Sequence, residues 1–417
     1  MNRLLLFFAF LMPCVSFAQK EDYVWQLGNV ALNFNNIHDP IDSGINLSSF
    51  FNLSCIADSS GRFLYAYSKN QLFNSVGAVV NQNAGSDLMS PALIPYPGRS
   101  DKSLFFYKAD VDTGLVCCAL DNKTSKKEVM KIFGYGVAPF AFVQQGFSDN
   151  IWMVALRDDN VDITLITKNG FQNTSTYSGY SSMFGHIVVN HNNDIIVFES
   201  DINENVAMSF DNNSGILLGE LFRISHSSMF KGAFSLHDRY YYYVGSTGGK
   251  TGVFRIDVGG GKYNAPELVS ILDEGRHVDL KCGPDGRIYI SCGVLRVFNN
   301  RMLCVITDAE SEFPQFQVLL PDGARFLPNT FHYRRGFTVD VNCGAVNFEC
   351  NYPSSVKCQW NLGDGSTSDL PSFAYVYDLP GTYEVVLKVV TDEGEELEFR
   401  QNVTIVASPP TPIIIAE

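Results

Sequence analysis

Residues 240–254, YYYYVGSTGGKTGVF, contain a Gly-Gly-Lys-Thr run of the kind that cradles nucleotide phosphates. A phosphate-binding loop needs another glycine at position 244, where this chain has Val244. It also needs a helix to follow, so that the amides at its N-terminus meet the phosphates. The segment that follows, TGVFRIDV, alternates as a strand does. We therefore expect GSTGGK, residues 245–250, to form the glycine-rich turn of a hairpin, and we expect no nucleotide to bind at residues 248–251.

Two acidic loops have oxygen-bearing side chains at alternate positions, a spacing that suits calcium. In DVDTG the candidates are Asp110 and Asp112, and in DINEN they are Asp201, Asn203 and Asn205. The second loop has a valine where an EF-hand needs glycine, and the first ends after two carboxylates. We favour ordinary turns between strands, and the sequence predicts no metal or other cofactor.

The familiar catalytic patterns are missing from the sequence. Its 7 histidines show no HExxH or other metal-binding spacing, so structural or surface roles are expected for them. It has no GxSxG motif around a serine nucleophile and no repeated aspartate boxes of the propeller sialidases. The sequence therefore identifies no catalytic residue, and we expect a protein that is not an enzyme.

Cysteine usage bears on the compartment. The chain has 10 cysteines, and nine remain once Cys14 is assigned to a leader segment, so at least one thiol is unpaired in an oxidising compartment. Cys350 and Cys358 flank NYPSSVK and invite a disulfide, which would stabilise the fold by roughly 2–3 kcal/mol. The alternative is that Cys343 pairs with one of these two. Most of the cysteines before residue 305 are expected to be buried thiols.

The first residues, MNRLLLFFAFLMPCVSFAQ, have the three regions of a secretory signal peptide, predicted to span residues 1–18. Arg3 supplies the positive charge, and an apolar run too short to cross a bilayer follows. A lipoprotein signal at Cys14 is the alternative. No later segment is long and apolar enough to span a membrane. The net charge of −14 opposes binding to nucleic acid.

The elements around these residues follow a repeat. A short strand, a polar turn and a strongly apolar strand recur six times, and the equivalent positions advance by steps in the forties (Leu64, Phe105, Trp152, Ile196, Tyr241, Ile288). This period, with four strands per unit, is typical of a β-propeller, here over residues 19–335. Segments 23–35 and 315–333 are left over and are predicted to pair as a further blade. We favour seven blades, with six as the alternative.

After residue 336 the pattern changes to short alternating strands of an immunoglobulin-like β-sandwich. WNLGDGSTSD, YVYDLPGTYEVVLKV and TDEG resemble a PKD domain over residues 337–406. Family members carry aspartate and phenylalanine where this chain has Asn361 and Leu362, and the first difference argues against a cation at this turn. Trp360 is expected to fill the space between the sheets, with Val385, Leu387 and Val389 on the core face.

The propeller segments VWQLGNVALNF, SCIADSSGRFLYAY, SPALIPYPGRSDKSLFFYKAD, DNIWMVAL and GPDGRIYIS resemble the N-terminal propeller of exported proteins linked to gliding motility and type IX secretion. The resemblance implies export to the outer surface of a Gram-negative bacterium. The family's sorting domain has no counterpart after residue 406, so the periplasm is the alternative location.

Residues 407–417 form a tail with the sequence ASPPTPIIIAE. In this tail a proline-rich spacer precedes Ile413, Ile414 and Ile415. One hypothesis is that the isoleucines add to a sheet edge of a partner. The alternatives are a strand folding back on its own sandwich and an arbitrary end of the sequence.

These features favour a non-catalytic binding or adhesion protein whose ligand is a glycan or a protein at the cell surface. One alternative is a secreted hydrolase or lyase acting on polysaccharide, with acidic residues at the mouth of the propeller. Another is a structural component of an export or gliding apparatus.

The absence of a phosphate-binding loop can be tested with Lys250→Ala. We expect the variant to keep its free energy of unfolding within about 0.5 kcal/mol of the wild type, because the lysine lies at a turn. Urea unfolding measures this, and calorimetry with MgATP is expected to detect no binding. Micromolar affinity for ATP that disappears in Lys250→Ala would contradict the interpretation.

Overall fold

The computed structural model describes residues 16–17, 22, 24–27, 31–34, 41–42, 54–58, 61–68, 71–82, 91–108, 114–133, 137–146, 148–157, 159–179, 184–200, 204–225, 229–247, 250–259, 263, 265–272, 279–293, 301–311, 314–320, 327, 337–342, 345–350, 357–390 and 396–405. It divides into two compact units, Gln19–Tyr333 on one side and Met1–Ala18 with Arg334–Glu417 on the other. The regular elements of the described residues are β-strands, which confirms the predicted all-β class.

The strands of the first unit form seven antiparallel sheets, and β1 (Ser16–Phe17) belongs to the second unit. In chain order the sheets contain β2 (Val24–Gln26), β3 (Ala31–Asn33) and β4 (Ile41–Asp42); β5 (Ser54–Ala57), β6 (Phe63–Ser68), β7 (Gln71–Asn74) and β8 (Val79–Gln82); β9 (Ala92–Tyr96), β10 (Arg99–Lys108), β11 (Leu115–Asp121) and β12 (Lys127–Ile132); β13 (Val137–Gln144), β14 (Ile151–Arg157), β15 (Asn160–Thr167) and β16 (Gly170–Ser178); β17 (Phe184–Val189), β18 (Ile195–Ser200), β19 (Glu204–Asp211) and β20 (Ile216–Ser225); β21 (Met229–Phe234), β22 (Tyr240–Thr247), β23 (Lys250–Asp257) and β24 (Glu267–Ile271); and β25 (Asp279–Cys282), β26 (Ile288–Gly293), β27 (Arg301–Thr307) and β28 (Gln315–Leu320).

The seven sheets close into a ring. Each sheet packs its buried side chains against the next, and the first sheet packs against both the second and the last. In that closing contact the ring of Trp25 lies 5.4 Å from Tyr289, and Phe34 lies 5.7 Å from the same tyrosine. Between the sixth and seventh sheets, the Tyr242 hydroxyl donates to the Ala309 carbonyl at 2.7 Å. The fold is therefore a seven-bladed β-propeller.

Within each blade, the first strand is innermost. The first strands of consecutive sheets are neighbours, as β2 is of β5, β5 of β9, β13 of β17, β17 of β21 and β21 of β25. The fourth strands instead carry exposed apolar side chains, among them Ile132 on β12, Leu218 on β20 and Ile271 on β24. The second strands are buried on both faces, which explains their nearly continuous apolar sequences.

The six predicted hairpins are the first two strands of sheets two to seven, and the six equivalent positions all lie on second strands. The pairing predicted for the two leftover segments is wrong. β2, β3 and β4 form a sheet of their own, whereas β28, the described strand of the second segment, pairs with β27 as the fourth strand of the last sheet. The physical reason is that β25, β26 and β27 alone would leave an unpaired edge next in sequence to β28.

The turns after four of the first strands, β5, β17, β21 and β25, have a recurring form. A residue with positive φ donates its amide to the carbonyl three residues earlier, as Gly61 does to Asp58 and Gly286 does to Gly283. In the sixth sheet the positive-φ residue is Asp238. The Oδ1 atom of Asp238 accepts the backbone amide of His191 at 2.8 Å. The Nδ1 atom of the His191 imidazole lies 3.0 Å from the same oxygen. This turn therefore links the sixth sheet to the fifth by buried hydrogen bonds.

β22 and β23 form a hairpin, and Lys250 and Thr251 of the Gly-Gly-Lys-Thr run begin β23, whereas Gly248 and Gly249 lie outside the described residues. Thr247 pairs with Lys250 across the two strands, and the residues from Lys250 onward continue as β23. Because a strand and not a helix follows the run, the predicted hairpin turn is confirmed.

The second unit is a sandwich of two sheets. One contains β1, β29 (Phe337–Asn342), β30 (Ala345–Cys350) and β33 (Ser372–Tyr375), and the other contains β32 (Thr367–Ser368), β31 (Lys357–Asn361), β34 (Gly381–Val390) and β35 (Glu396–Ile405). Trp360 is fully buried, with Phe337, Phe348 and Phe373 all within 5.5 Å between ring centroids. Val385, Leu387 and Val389 are also buried, so the predicted core is confirmed.

Backbone pairing joins β1 to β29, with Ser16 opposite Val339 and Phe17 opposite Thr338. The predicted signal peptide concerns processing and stays a prediction. Cys350 and Cys358 lie on facing sheets, where both are buried and their sulfurs are 2.9 Å apart. Their disulfide also stays a prediction, and Cys343 lies outside the described residues.

The predicted domain boundaries can be tested with a fragment of residues 337–408. We expect cooperative urea unfolding under oxidising conditions, because Trp360 and the residues around it form a core within this segment. Adding a reductant should lower the stability by roughly 2–3 kcal/mol if the disulfide forms, and Cys350→Ser should remove that difference. A fragment without a cooperative transition would contradict the boundary.

Candidate functional site

Titratable side chains collect on the first strands of the propeller, which line its axis, and on residues close to these strands. We call six of them the axial cluster (Asp22, His186, Glu199, Lys231, Asp279 and Lys281). Lys231 Nζ lies 3.4 Å from Asp279 Oδ1. The charge of Lys231 lowers the pKa values of His186 and Glu199. The charges of Asp279 and Asp22 raise the pKa of Lys281. Residues from four different blades thus converge on one site.

Glu199 is the most buried member of the cluster, with 2% of its surface exposed. Its Oε1 atom accepts the hydroxyl of Tyr241 at 2.5 Å and the amide of Gly232 at 2.8 Å. Its Oε2 atom is buried as well, and no donor among the described residues reaches it. A proton on Oε2 would lessen the cost of burying a charge there.

Gly232, on the innermost strand β21, makes this arrangement possible. A Cβ at this position would lie 2.3 Å from the Tyr241 hydroxyl oxygen and 2.7 Å from Glu199 Oε1. Atoms cannot approach so closely, so any side chain here would displace the tyrosine or the glutamate. The sequence MFKGAF therefore combines a lysine at the axis with a glycine that admits Glu199 beneath it.

Burial shifts the protonation equilibria of the cluster. Desolvation raises the pKa of Glu199 to about 7, against the hydrogen bonds from Tyr241 and Gly232 and the charge of Lys231. Desolvation lowers the pKa of Lys281 to about 8 despite Asp279 and Asp22 nearby. Burial also lowers the pKa of His186 to about 3, so its imidazole is neutral near pH 7. The cluster can therefore exchange protons close to neutral pH.

The remaining contacts fix the carboxylates. Asp279 Oδ2 accepts the amide of Leu327 at 3.2 Å, so a residue beyond the last strand of the propeller holds it in place.

The thiol of Cys55 donates to the Val24 carbonyl at 3.0 Å, and burial raises the pKa of this thiol to about 12. That thiol is consequently protonated and unreactive near neutral pH.

The structure separates the calcium candidates. Asn205 is buried on β19, where its amide nitrogen donates to the Tyr241 hydroxyl at 3.2 Å. Asp110, Asp112, Asp201 and Asn203 lie outside the described residues, as do Ile413, Ile414 and Ile415 of the tail. Asn205 is therefore next to the axial cluster, and the calcium sites stay untested predictions.

Sequence reasoning missed Glu199, Lys231, Asp279 and Lys281. A local signal existed, because each charge stands beside strongly apolar residues in IIVFES, MFKGAF and DLKC. A charge in such a strand must be paired or near water when the strand is buried. The local sequence does not indicate which of these strands lie next to each other at the axis.

Among the described residues, no group of three or more histidine, cysteine, aspartate or glutamate side chains is arranged to hold a metal ion. In the described part of the chain, no helix has the length and apolar character needed to cross a membrane.

Residues 342–406 match the family model described as PKD domain. This confirms the predicted module at the C-terminal end, and the match covers 65 of the 417 residues. A comparison with curated proteins gave no match.

Several solved structures are similar to the chain. A putative 6-phosphogluconolactonase from Bacteroides fragilis has 11% identity and a TM-score of 0.49, over 79% of this chain and 97% of that one. The Cps50 (Swd1) β-propeller domain of Myceliophteria thermophila has 11% identity and a TM-score of 0.46, over 68% and 94%. TolB from Acinetobacter baumannii has 16% identity and a TM-score of 0.41, over 64% of this chain. The match spans 63% of the TolB chain, which is less than two thirds of its length.

The burial of Glu199 predicts a dependence of stability on pH. Because its pKa is higher in the folded protein than in the unfolded chain, the stability it contributes is fully present below about pH 4.5 and is lost as the pH rises through about 7. Relative to Glu199→Gln, the wild type should therefore lose on the order of 3 kcal/mol between pH 4.5 and 8.5. Urea unfolding of both proteins at the two pH values measures this.

Glu128→Gln on the exposed strand β12 is the matched control and should show no such change relative to the wild type. Equal pH dependence in the wild type and Glu199→Gln would mean that Glu199 is hydrated in the folded protein, contrary to the described geometry.

Proposed function

We propose that the protein is a non-catalytic binding protein that recognises a glycan or a protein at the cell surface. The supporting observation is the axial cluster, where acceptors and donors from separate blades are held in place at the centre of a closed ring. Such preorganisation lowers the conformational entropy lost on binding. A propeller with a PKD domain suits a binding or adhesion module, in which the sandwich acts as a spacer or a second contact.

We also propose that the protein is exported, because the first residues have the pattern of a signal peptide and the propeller segments resemble those of exported surface proteins. The outer surface of a Gram-negative bacterium is the proposed location, with the periplasm as the alternative. A structural role in an export or gliding apparatus would use the same modules, with a protein of that apparatus as the ligand.

One observation favours a second candidate function, a hydrolase or lyase acting on polysaccharide. Burial raises the pKa of Glu199 to about 7, with a contribution from the charge of Asp279, so Glu199 can hold a proton near neutral pH beside a second carboxyl group. A glycosidase needs such a pair as acid and base. We rank this function second, because burial of both oxygens of Glu199 keeps it from a glycosidic bond in this conformation.

The binding function can be tested with residues 19–417 on arrays of glycans and of bacterial surface proteins. We expect saturable binding to one class of ligand and no product release during prolonged incubation with it. Lys231→Met is expected to weaken binding, since it removes a charge at the axis, and Lys250→Met is the matched control. Sustained release of reducing sugar or peptide would support the enzyme instead, and failure to bind any array ligand would contradict the proposal.

A further inference from the structure

The outermost strand of the third sheet is positively charged, although the chain has a net charge of −14. β12 forms the edge of this sheet, and we call residues 122–133, which include β12 and the turn before it, the basic edge. The basic edge contains four lysines and one glutamate, a net charge of +3 (Lys123, Lys126, Lys127, Lys131 and Glu128). Lys123 and Lys126 are exposed, and no carboxylate among the described residues forms an ion pair with either. This edge therefore attracts negative charge.

Apolar side chains accompany these lysines at the surface. Val129 and Ile132 on β12 are 55% and 58% exposed. Val129 lies on the same face of the strand as Lys127, whose Nζ atom donates to the Tyr107 hydroxyl at 3.3 Å. The lysines and the extra residue at Met130 discourage addition of a further strand to this edge. A partner would therefore contact the side chains of the basic edge and must offer negative charge together with apolar surface.

The sandwich has a surface of the opposite charge. We call residues 364–379 the acidic segment, which has a net charge of −3 because it contains three aspartates and no lysine, arginine or glutamate (Asp364, Asp369 and Asp378). Asp369 and Asp378 are exposed, and no cation among the described residues forms an ion pair with either. The exposed large apolar residues of the segment, at 59%, 61% and 70% exposure, are Leu370, Val376 and Leu379. The acidic segment thus has the composition that the basic edge requires.

Hydrogen bonds and ring stacking fix the acidic segment in place. The Tyr375 hydroxyl donates to Asp364 Oδ2 at 2.7 Å. The Tyr383 hydroxyl donates to the Leu379 carbonyl at 2.7 Å, and the Tyr383 ring stacks on Tyr377 with 4.1 Å between the centroids. Because the segment is held in this way, it loses little conformational entropy when it docks on another surface.

We propose that copies of this chain associate through these two surfaces, with the acidic segment of one copy on the basic edge of another. The charges of −3 and +3 attract each other, and the contact covers exposed apolar residues on both sides. Because the two surfaces differ, the contact is heterologous, and each copy offers a different surface to each neighbour. The inference goes beyond the proposed binding function, and failure of either one leaves the other standing.

Salt separates this attraction from the repulsion between the net charges of the copies. At 150 mM NaCl the Debye length is about 8 Å, so repulsion across whole molecules is largely screened while close charges still attract. Sedimentation equilibrium of residues 19–417 should therefore show self-association at 150 mM NaCl. The dissociation constant should rise about tenfold at 500 mM NaCl, because the contact itself is then screened.

A charge swap identifies the two surfaces. Lys123→Glu with Lys126→Glu changes the basic edge from +3 to −1, and Asp369→Lys with Asp378→Lys changes the acidic segment from −3 to +1. Each variant then carries like charges on both surfaces and should not self-associate. An equimolar mixture should form a complex, because the intact basic edge of the second variant meets the intact acidic segment of the first.

The matched control is Lys250→Glu with Arg301→Glu, an equal change of charge on the sixth and seventh sheets, and it should self-associate as the wild type does. A wild type that does not self-associate, or that does so equally at both salt concentrations, would overturn the inference. So would self-association of either folded reversal variant, an equal loss in the control, or a mixture that forms no complex. A surface protein on the arrays that binds only chains with intact lysines, without self-association, would show a different occupant and overturn it as well.

Thermal unfolding shows whether each reversal variant folds. If the lysine variant does not, Lys123→Gln with Lys126→Gln takes its place and should weaken self-association about fivefold, because two attractive charges are removed. An unchanged dissociation constant in that folded variant would contradict the inference.

Discussion

Closure of the ring depends on the packing of the first sheet against the last, where Trp25 and Phe34 meet Tyr289 edge to face. Such aromatic pairs contribute about 0.5–1.5 kcal/mol each beyond the burial of their surface. The contact joins residues more than 250 positions apart in the chain, so it forms only when the intervening sheets are in place. Without it, the inner strands would face water, and the burial that shifts the axial groups would be lost.

The same closure explains why charges are found at the axis. Inner strands packed around a ring bring their side chains together, so a charge on one strand must be compensated from another blade. Lys231 and Asp279, on neighbouring first strands, compensate each other's charge in this way. Lys281 lies on the same strand as Asp279, and its Nζ atom is 5.8 Å from the centre of the Trp25 ring. Trp25 therefore takes part both in the contact that closes the ring and in the surroundings of Lys281. A cluster of this kind is held rigidly, because its members are fixed by the strands that build the fold.

Much of the fold could be predicted from local patterns. The spacing from Leu64 to Ile288 identified second strands because burial on both faces gives them continuous apolar runs, and Trp360 identified the sandwich core. The pairing of β28 could not be predicted, since its sequence suits an outer strand of either neighbouring blade. The axial cluster could not be predicted either. Glu199 and Lys231 come together only through ring geometry, and the tolerance for Glu199 depends on the missing side chain of Gly232 on another blade.

The closed ring holds a desolvated carboxyl group, that of Glu199, at its axis near the partly exposed side chain of Lys231. The most direct test is a ¹³C NMR titration of the protein labelled at the glutamate carboxyl carbons, with the Glu199 resonance identified by its loss in Glu199→Gln. Because Glu199 is desolvated, we expect a midpoint near pH 7 for this resonance. A midpoint near the ordinary value of about 4.3 would mean that Glu199 is hydrated, and would contradict the described axis.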